Sequence, residues 1–212
     1  MNLYFIRHGE SEGNSRQFHQ GENVSLSEIG VKQARAVAQY FKQIKIDKLY
    51  TSPHLRAKHT AEIISEVLKL PLEHIEFLKE LKRPTELEGL EYNHPKAHEI
   101  KKIIKENQTS PDWKYTDDES FNDLLCRAKQ VEQHVLLHQN NENIVCISHI
   151  QITVLIVLRL LLQDQLTPSV FWQFFYHCKV NNTGIIHLEY SESSGWNLIT
   201  WNNTTHLLNL VN

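Results

Sequence analysis

The feature that most constrains this chain is an apolar run of strand length that ends abruptly in polar residues. Residues 3–6 read Leu-Tyr-Phe-Ile, and Arg7, His8 and Gly9 follow at once. Such a run is typical of a central strand in a parallel sheet, and a glycine after it permits a sharp turn or a close approach to a ligand. Open α/β sheets bind ligands at that carboxyl edge. For the Arg-His dipeptide alone, a strand-end histidine bonded to backbone is the simpler interpretation.

Two further segments strengthen a functional interpretation. A second strand-like run, residues 143–147, ends in Ser148 and His149, which places a second histidine at the end of a buried strand. A Ser-Pro turn at Ser52 leads into a helix that carries Arg56 in its first turn. Helix N-termini attract phosphate, and a guanidinium adds a fork that holds two phosphate oxygens. The pattern indicates phosphoryl chemistry at one sheet edge.

These segments together resemble the signature of the histidine phosphatase superfamily, which includes the cofactor-dependent phosphoglycerate mutases. The matching residues are Arg7, His8, Gly9, Glu10, Ser11 and Asn14, then Ser52, Pro53, Arg56, Ala57, Thr60 and Ala61, and finally Ser148 and His149. Weaker matches follow at Gln20 and Gly21, at Leu26, Ser27 and Gly30, at Glu119, Ser120 and Arg127, and at Asn182, Thr183 and Gly184. The resemblance therefore spans nearly the whole chain.

The resemblance implies a phosphomonoesterase that works through a phosphohistidine on His8. A nucleophilic imidazole must be neutral, so we expect the second ring nitrogen of His8 to donate to a backbone carbonyl. Arg7 and Arg56 are expected to hold the non-bridging phosphate oxygens. His149, in its protonated form, is expected to add a third donor.

The leaving oxygen needs a proton from a carboxylic acid near the pocket. Glu80 is our candidate, because it matches a Leu-x-Glu element of the family and follows an apolar run that we interpret as a strand. Glu86 and Glu88 are the alternatives. The positions expected to contact phosphate or substrate, by resemblance, are Ser11, Asn14, Gln20 and Gly21.

One position departs from the family pattern. The residue after His149 is commonly glycine, but it is Ile150 here, and a β-branched side chain resists positive φ and narrows the pocket. Three functions stay open: a phosphatase, a phosphoglycerate mutase-type phosphotransferase, or a weakly active protein that binds a phosphorylated ligand. Family mutases are usually longer, so the compact chain favours hydrolysis of a small phosphorylated metabolite.

Composition limits the kinds of binding partner and cofactor that we expect. The chain has 212 residues and a net charge of −3, which predicts one domain and no footprint for nucleic acid. The cysteines Cys126, Cys146 and Cys178 are odd in number and widely spaced, so we expect buried free thiols and a cytoplasmic location. His134 and His138 have ligand spacing but no third ligand, and we expect neither a metal nor an organic cofactor.

The alternation of strands and helices predicts an α/β fold. We expect a three-layer sandwich with a mostly parallel central sheet, helices on both faces and an insertion over its carboxyl edge. The polar stretch at about 82–118 is the expected cap-like insertion of a single catalytic domain, with a helix near residues 96–106. We expect no signal peptide, because the first residues lead straight into a strand-like run, and we expect the apolar run 152–162 to be too short to span a membrane. The run 171–176 fits core better than the interface of a possible homodimer.

Overall fold

The computed structural model describes residues 1–136 and 142–210, and within these ranges a six-stranded sheet organises the chain. The strands are β1 (Asn2–Arg7), β2 (Lys48–Thr51), β3 (Leu72–His74), β4 (Asn143–Ser148), β5 (Ile185–Ser191) and β6 (Gly195–Asn203). The α-helices are α1 (Glu12–Ser15), α2 (Glu28–Phe41), α3 (Leu55–Leu68), α4 (Pro95–Asn107), α5 (Phe121–Leu136), α6 (Ile150–Leu162) and α7 (Pro168–His177).

The sheet is mostly parallel, as predicted. Its strand order is β3-β2-β4-β1-β5-β6, and the first four strands in this order pair in parallel. β5 pairs antiparallel with β1, and β6 pairs antiparallel with β5, which forms a hairpin at one edge. The parallel core brings the carboxyl ends of β1, β2 and β4 to one edge of the sheet.

Side chains alternate between two apolar layers along β1. Leu3 and Phe5 belong to the larger core cluster, which also contains residues of α5, α6 and α7. Tyr4 and Ile6 belong to the second cluster, together with residues of α2 and α3. Burying a side chain such as Phe5 completely contributes about 1.5–3 kcal/mol, so both helix layers are fixed firmly to the sheet. The predicted three-layer architecture is confirmed.

Side chains cap the first turns of two helices. The Ser27 Oγ accepts a hydrogen bond from the Gly30 amide at 3.1 Å and caps α2. The Ser120 and Asp123 pair forms a reciprocal cap of α5. Ile29 in α2 is 54% exposed, because it lies about 140° around the helix from the buried Ala34.

Several other local expectations need correction. The polar stretch after β1 is not entirely irregular, because it begins with α1, which Ser11 caps. Cys146 is buried as expected, whereas Cys126 is exposed and Cys178 is half-buried. His138 lies outside the described residues. Phe171 and Trp172 in α7 are buried, which confirms the core interpretation for that part of the run 171–176, although Tyr176 is exposed.

Residues 82–118 hold a short 3-10 turn and α4, which covers the helix predicted at 96–106. The segment has a small apolar cluster built on Leu87, Ala97, Ile100 and Ile104. The apolar run of α6 is buried in the main core. Within the described ranges, the helices all fall short of the length and apolarity needed to cross a bilayer.

Candidate active site

Three strand ends converge where the sequence predicted. Arg7 at the end of β1 is opposite Ser148 of β4, and Thr51 of β2 is opposite Ile147. The His8 amide then donates to the Ser148 carbonyl at 2.9 Å, which extends the ladder beyond the strands. The two histidines and the Arg56 helix therefore meet at the carboxyl edge.

Close backbone packing fixes the turn after β1. A Cβ added to Gly30 lies 1.9 Å from the Glu10 carbonyl oxygen, and one added to Gly9 lies 2.6 Å from the Gly30 carbonyl oxygen. The Gly9 amide also donates to the Thr60 hydroxyl at 3.0 Å. Only glycine permits this approach of β1 to α2, and the approach holds His8 in place.

His8 has the geometry of a nucleophile. Its Nδ1 donates to the Gly9 carbonyl at 2.7 Å, in agreement with the predicted tautomer, and its Nε2 accepts from the Arg56 Nε at 3.2 Å. Burial, followed by the charges of Arg56 and Arg7, lowers the pKa of His8 well below 6.5. The imidazole is therefore neutral, with the lone pair of Nε2 directed toward Arg56.

The two predicted arginines flank this ring. The Arg56 Nη1 donates to the Gly21 carbonyl at 2.8 Å, and the Arg7 Nη1 donates to the Val180 carbonyl at 2.8 Å. The Arg7 Nε has no hydrogen-bond partner among the described residues. Burial lowers the pKa of Arg56 to about 10, so the side chain keeps its charge at neutral pH. The Arg56 Nε therefore lies beside the His8 Nε2, the charge of Arg7 also acts on His8, and the Arg7 Nε is an unused donor.

His149 lies behind His8 and not in the cavity wall. The two rings are 5.1 Å apart, the His149 side chain is fully buried, and its Nε2 is 2.8 Å from the Ser52 Oγ. Burial, followed by the charge of Arg56, lowers the pKa of His149 well below 6.5. Burial and the adjacent guanidinium therefore favour the neutral ring, and the protonated form expected beside a phosphate stays a prediction.

The Glu80 side chain contacts the first turn of α6 and lies in the cavity wall. Its Oε1 accepts from the amides of Leu81, Gln151 and Ile152 at 2.9, 3.1 and 3.2 Å, whereas its Oε2 has one long contact of 3.4 Å, to the Gln151 amide. Oε2 is thus the oxygen free to carry a proton. Glu80 follows the 3-10 turn Glu76–Leu78 and not a strand, which corrects that part of the prediction.

Arg127 positions Glu80. It forms a bidentate ion pair with Glu119, with its Nε at 2.8 Å from Oε1 and its Nη2 at 2.6 Å from Oε2. It also donates to the carbonyls of Phe77, Lys79 and Glu80 at 2.6–3.2 Å. One guanidinium therefore holds the backbone of the segment that carries the candidate acid.

The alternative acids differ in position. Glu88 lines the cavity, and its carboxylate approaches Gly21 so closely that an added Cβ there lies 1.9 Å from Oε1. Glu86 does not line the cavity and forms an ion pair with Lys96 at 3.0 Å.

The residues predicted to contact substrate also differ in whether they line the cavity. Asn14, Gln20 and Gly21 line the cavity. Ser11 is fully buried, and its hydroxyl contacts Asn14 at 2.9 Å and Gln20 at 2.7 Å. The Ser11 hydroxyl therefore positions two residues that line the cavity, and its own contact with substrate stays a prediction.

Ile150 is the first residue of α6 and is half-buried in the cavity wall. Its backbone is helical, and it is absent from the residues with positive φ. The conflict expected between a β-branched side chain and a positive φ therefore does not occur at Ile150.

The cavity has a volume of about 900 Å³. Residues in its wall that the sequence analysis did not single out include His19, His54, Arg83, Tyr92 and Gln151. Gln151 is buried, and its Nε2 has no hydrogen-bond partner among the described residues, so it is available to a substrate. In the ranges 1–136 and 142–210, no group of three or more His, Cys, Asp or Glu side chains is arranged to hold a metal ion.

Comparison with known proteins agrees with this geometry. The family model of the histidine phosphatase superfamily (branch 1) matches residues 3–204. A solved structure of phosphoserine phosphatase from Entamoeba histolytica, in complex with 3-phosphoglyceric acid, is 29% identical with a TM-score of 0.78, and the match covers 98% of this chain and 99% of that one.

Two curated relatives match over shorter stretches. The uncharacterized phosphatase PhoE of Bacillus subtilis is 43% identical over 76 residues, which is 35% of this chain and 39% of the relative. The probable phosphoglycerate mutase GpmB of Photorhabdus laumondii is 46% identical over 68 residues, which is 32% of each chain. The matched stretch thus spans less than two fifths of the length of either relative.

Proposed function

This chain belongs to branch 1 of the histidine phosphatase superfamily, and on that premise we propose that it is a phosphomonoesterase that hydrolyses a small phosphorylated metabolite through a phosphohistidine on His8. The observation that carries the proposal is the state of His8. Its Nδ1 proton is bonded to the Gly9 carbonyl, its Nε2 lone pair is free of a proton, and a guanidinium lies 3.2 Å from that nitrogen.

In the first step the His8 Nε2 attacks phosphorus and the ester P–O bond breaks. Arg56 shifts its Nε donor from His8 to a non-bridging oxygen, and Arg7 supplies the donors that the protein leaves unused. These cations stabilise the charge of the transferring group in place of water, which in comparable sites accelerates the reaction by about 10²–10³-fold for each donor. Glu80 Oε2 gives its proton to the leaving oxygen.

In the second step a water molecule attacks the phosphohistidine. The Glu80 carboxylate takes the proton of that water, the P–N bond breaks, and inorganic phosphate leaves. Glu80 is then protonated and His8 neutral again, so the cycle closes without a metal or an organic cofactor. Activity in the presence of EDTA is accordingly expected to equal activity in its absence.

His149 and Ser11 support this cycle indirectly. His149 packs against His8 and binds Ser52, which orients the nucleophile. Ser11 orients Asn14 and Gln20. The segment 82–118 acts as the cap of a single catalytic domain, since Lys82, Thr85 and Glu88 form part of the cavity wall. We place the enzyme in the cytoplasm, in keeping with three free thiols.

A phosphoglycerate mutase-type phosphotransferase is the second candidate, and the similarity to GpmB favours it. The two functions differ in the acceptor of the phosphoryl group, which is water in one and a second hydroxyl of a glycerate in the other. Release of inorganic phosphate from 3-phosphoglycerate indicates a phosphatase. Formation of 2-phosphoglycerate without phosphate release indicates a mutase.

The first experiment is hydrolysis of p-nitrophenyl phosphate by the wild type and by His8→Ala, with EDTA present. The proposal predicts turnover by the wild type and its loss in the variant. His74→Ala is the matched control, because His74 is exposed on the edge strand β3 and does not line the cavity. Equal turnover by wild type and His8→Ala contradicts the proposal. Absence of turnover by folded wild type favours the weakly active, ligand-binding alternative.

A further inference from the structure

The cationic side chains of the cavity wall fall into two groups. Three of them are neutralised by carboxylates at 2.6–3.1 Å: Lys79 by Glu76, Lys82 by Asp117 and Arg127 by Glu119. Arg7, Arg56 and Arg83 have no carboxylate within ion-pair distance among the residues that the structure describes. Arg7 and Arg56 belong to the phosphoryl site beside His8. Arg83 has no part in the proposed reaction.

Arg83 makes no hydrogen bond within the described part of the chain, but its position is fixed. Its guanidinium lies 5.6 Å from the centre of the Trp172 ring. Trp172 is itself buried and donates to the Gln108 carbonyl at 2.9 Å. The aromatic face therefore supports the guanidinium and leaves its donor edge unused.

The backbone around Arg83 is held on both sides. The Lys82 amide donates to Glu119 Oε2 at 2.8 Å, and the Thr85 amide donates to Asp117 Oδ1 at 3.0 Å. Pro84 restricts φ between them. A side chain on a fixed loop loses little conformational freedom when it binds a ligand, which is the arrangement expected of a recognition residue.

The charge of Arg83 is only weakly compensated. Burial lowers the pKa of Arg83, and the nearby carboxylate of Glu80 opposes that shift. Glu80 also acts on Arg7 and Arg56, so all three guanidinium groups lie around one carboxylate. Arg83 is half-buried and lines the cavity, so its donors are accessible to an anionic ligand there.

We propose that Arg83 binds a second anionic group of the substrate, a carboxylate or a second phosphate, separate from the phosphoryl group that is transferred to His8. This inference rests on the proposed phosphatase function and adds a substrate class to it: phosphomonoesters with two anionic ends. An ester of the same size whose only anionic group is the transferred phosphoryl group leaves the Arg83 donors without a ligand and is therefore a poorer substrate.

The test compares substrate pairs that differ in one anionic group. O-phosphoserine and O-phosphoethanolamine differ by a carboxylate, and fructose 1,6-bisphosphate and fructose 6-phosphate differ by a phosphate. Arg83→Met removes the charge but keeps the apolar contact with Trp172. Arg83→Lys restores the charge without the fork, and Lys102→Met is the control for charge removal on an exposed helix face outside the cavity.

We expect Arg83→Met to lower kcat/KM by about 10- to 100-fold for the doubly anionic member of at least one pair, and by less than about twofold for its partner. Arg83→Lys is expected to recover part of the loss. If Arg83 binds a carboxylate, the selective loss of kcat/KM occurs in the first pair only. If Arg83 binds a phosphate, the selective loss occurs in the second pair. Equal losses within each pair, or no loss in either, overturn the inference and leave Arg83 a structural partner of Trp172.

The failure of this inference is distinguishable from the failure of the proposed function. Wild-type hydrolysis of p-nitrophenyl phosphate that depends on His8 supports the function whatever Arg83 does. If no ester is hydrolysed, calorimetric binding of O-phosphoserine and fructose 1,6-bisphosphate to wild type and Arg83→Met decides the question. Affinities that are the same for both proteins overturn the inference, and a loss in the variant of at least tenfold supports it.

Discussion

Glu80→Gln tests the assignment of the general acid. The substitution keeps the size of the side chain, and its oxygen can still accept from the amides of Gln151 and Ile152, which now lie 3.1 and 3.2 Å from Oε1. The amide cannot supply the proton that we assign to Oε2. General acid catalysis typically contributes about 10²–10⁴-fold, which corresponds to about 3–5 kcal/mol in the barrier. Because glutamine has the size of glutamate and its oxygen still accepts from the helix amides, we expect stability to change by about 1 kcal/mol or less.

The assay uses two leaving groups. p-Nitrophenolate leaves without a proton, whereas the alkoxide of an alkyl ester such as glycerol phosphate needs one. We therefore expect Glu80→Gln to lower kcat/KM by about a thousandfold for the alkyl ester and by less than about tenfold for the aryl ester. Glu88→Gln, which also removes a carboxylate from the cavity wall, is the matched control and should show no such difference. Equal losses with both esters refute the assignment, and a selective effect in Glu88→Gln transfers the role to Glu88.

Three other predictions follow from the same geometry. Arg56→Lys keeps a cation but loses the Nε donor to His8, so kcat in steady-state assays should fall by about 10²-fold or more. The control is Arg35→Lys, on an exposed face of α2, which should leave kcat unchanged. Gly30→Ala places a Cβ 1.9 Å from the Glu10 carbonyl oxygen. We expect the free energy of unfolding, measured by chemical denaturation, to fall by about 1–3 kcal/mol. An unchanged denaturation midpoint would contradict the packing described for β1 and α2. Burial lowers the pKa of His19, His54 and His206 to about 4, 3 and 4. These side chains are therefore protonated near pH 5 in the unfolded chain but not in the folded protein, so the free energy of unfolding should fall as pH drops from 6.5 toward 4. Stability that does not change with pH across that range would contradict this prediction.

The sequence was sufficient for the parts of the site that follow regular elements. His8 and His149 come directly after buried strands, and Arg56 lies in the first turn of a helix, so their convergence follows from the parallel sheet alone. The direction of a side chain relative to the cavity is a different matter. Ser11 and His149 lie at the correct edge, but packing turns both away from the cavity. A linear motif does not contain that information.

The residues that the sequence analysis missed lie in irregular segments. Arg83 lies in a loop whose residues 82 and 85 donate hydrogen bonds to residues 119 and 117, which are more than 30 positions away in the chain. Arg127 was noted as a motif match, but its bonds to three carbonyls near Glu80 depend on the docking of α5 against that loop. His54, two residues before Arg56, was within reach of the sequence argument, because a histidine at a helix start beside an arginine shares its surroundings.

The most direct test of the central claim is detection of the phosphoryl group on His8. Wild-type protein mixed with O-phosphoserine or p-nitrophenyl phosphate is quenched within the first turnover at alkaline pH, where phosphohistidine survives, and is analysed by intact and peptide mass spectrometry. The account predicts one added phosphoryl group, located on the peptide that contains His8, lost on acid treatment and absent in His8→Ala. Turnover with no such adduct in rapid-quench samples, or with the group on another residue, contradicts the claim that the His8 Nε2 is the nucleophile.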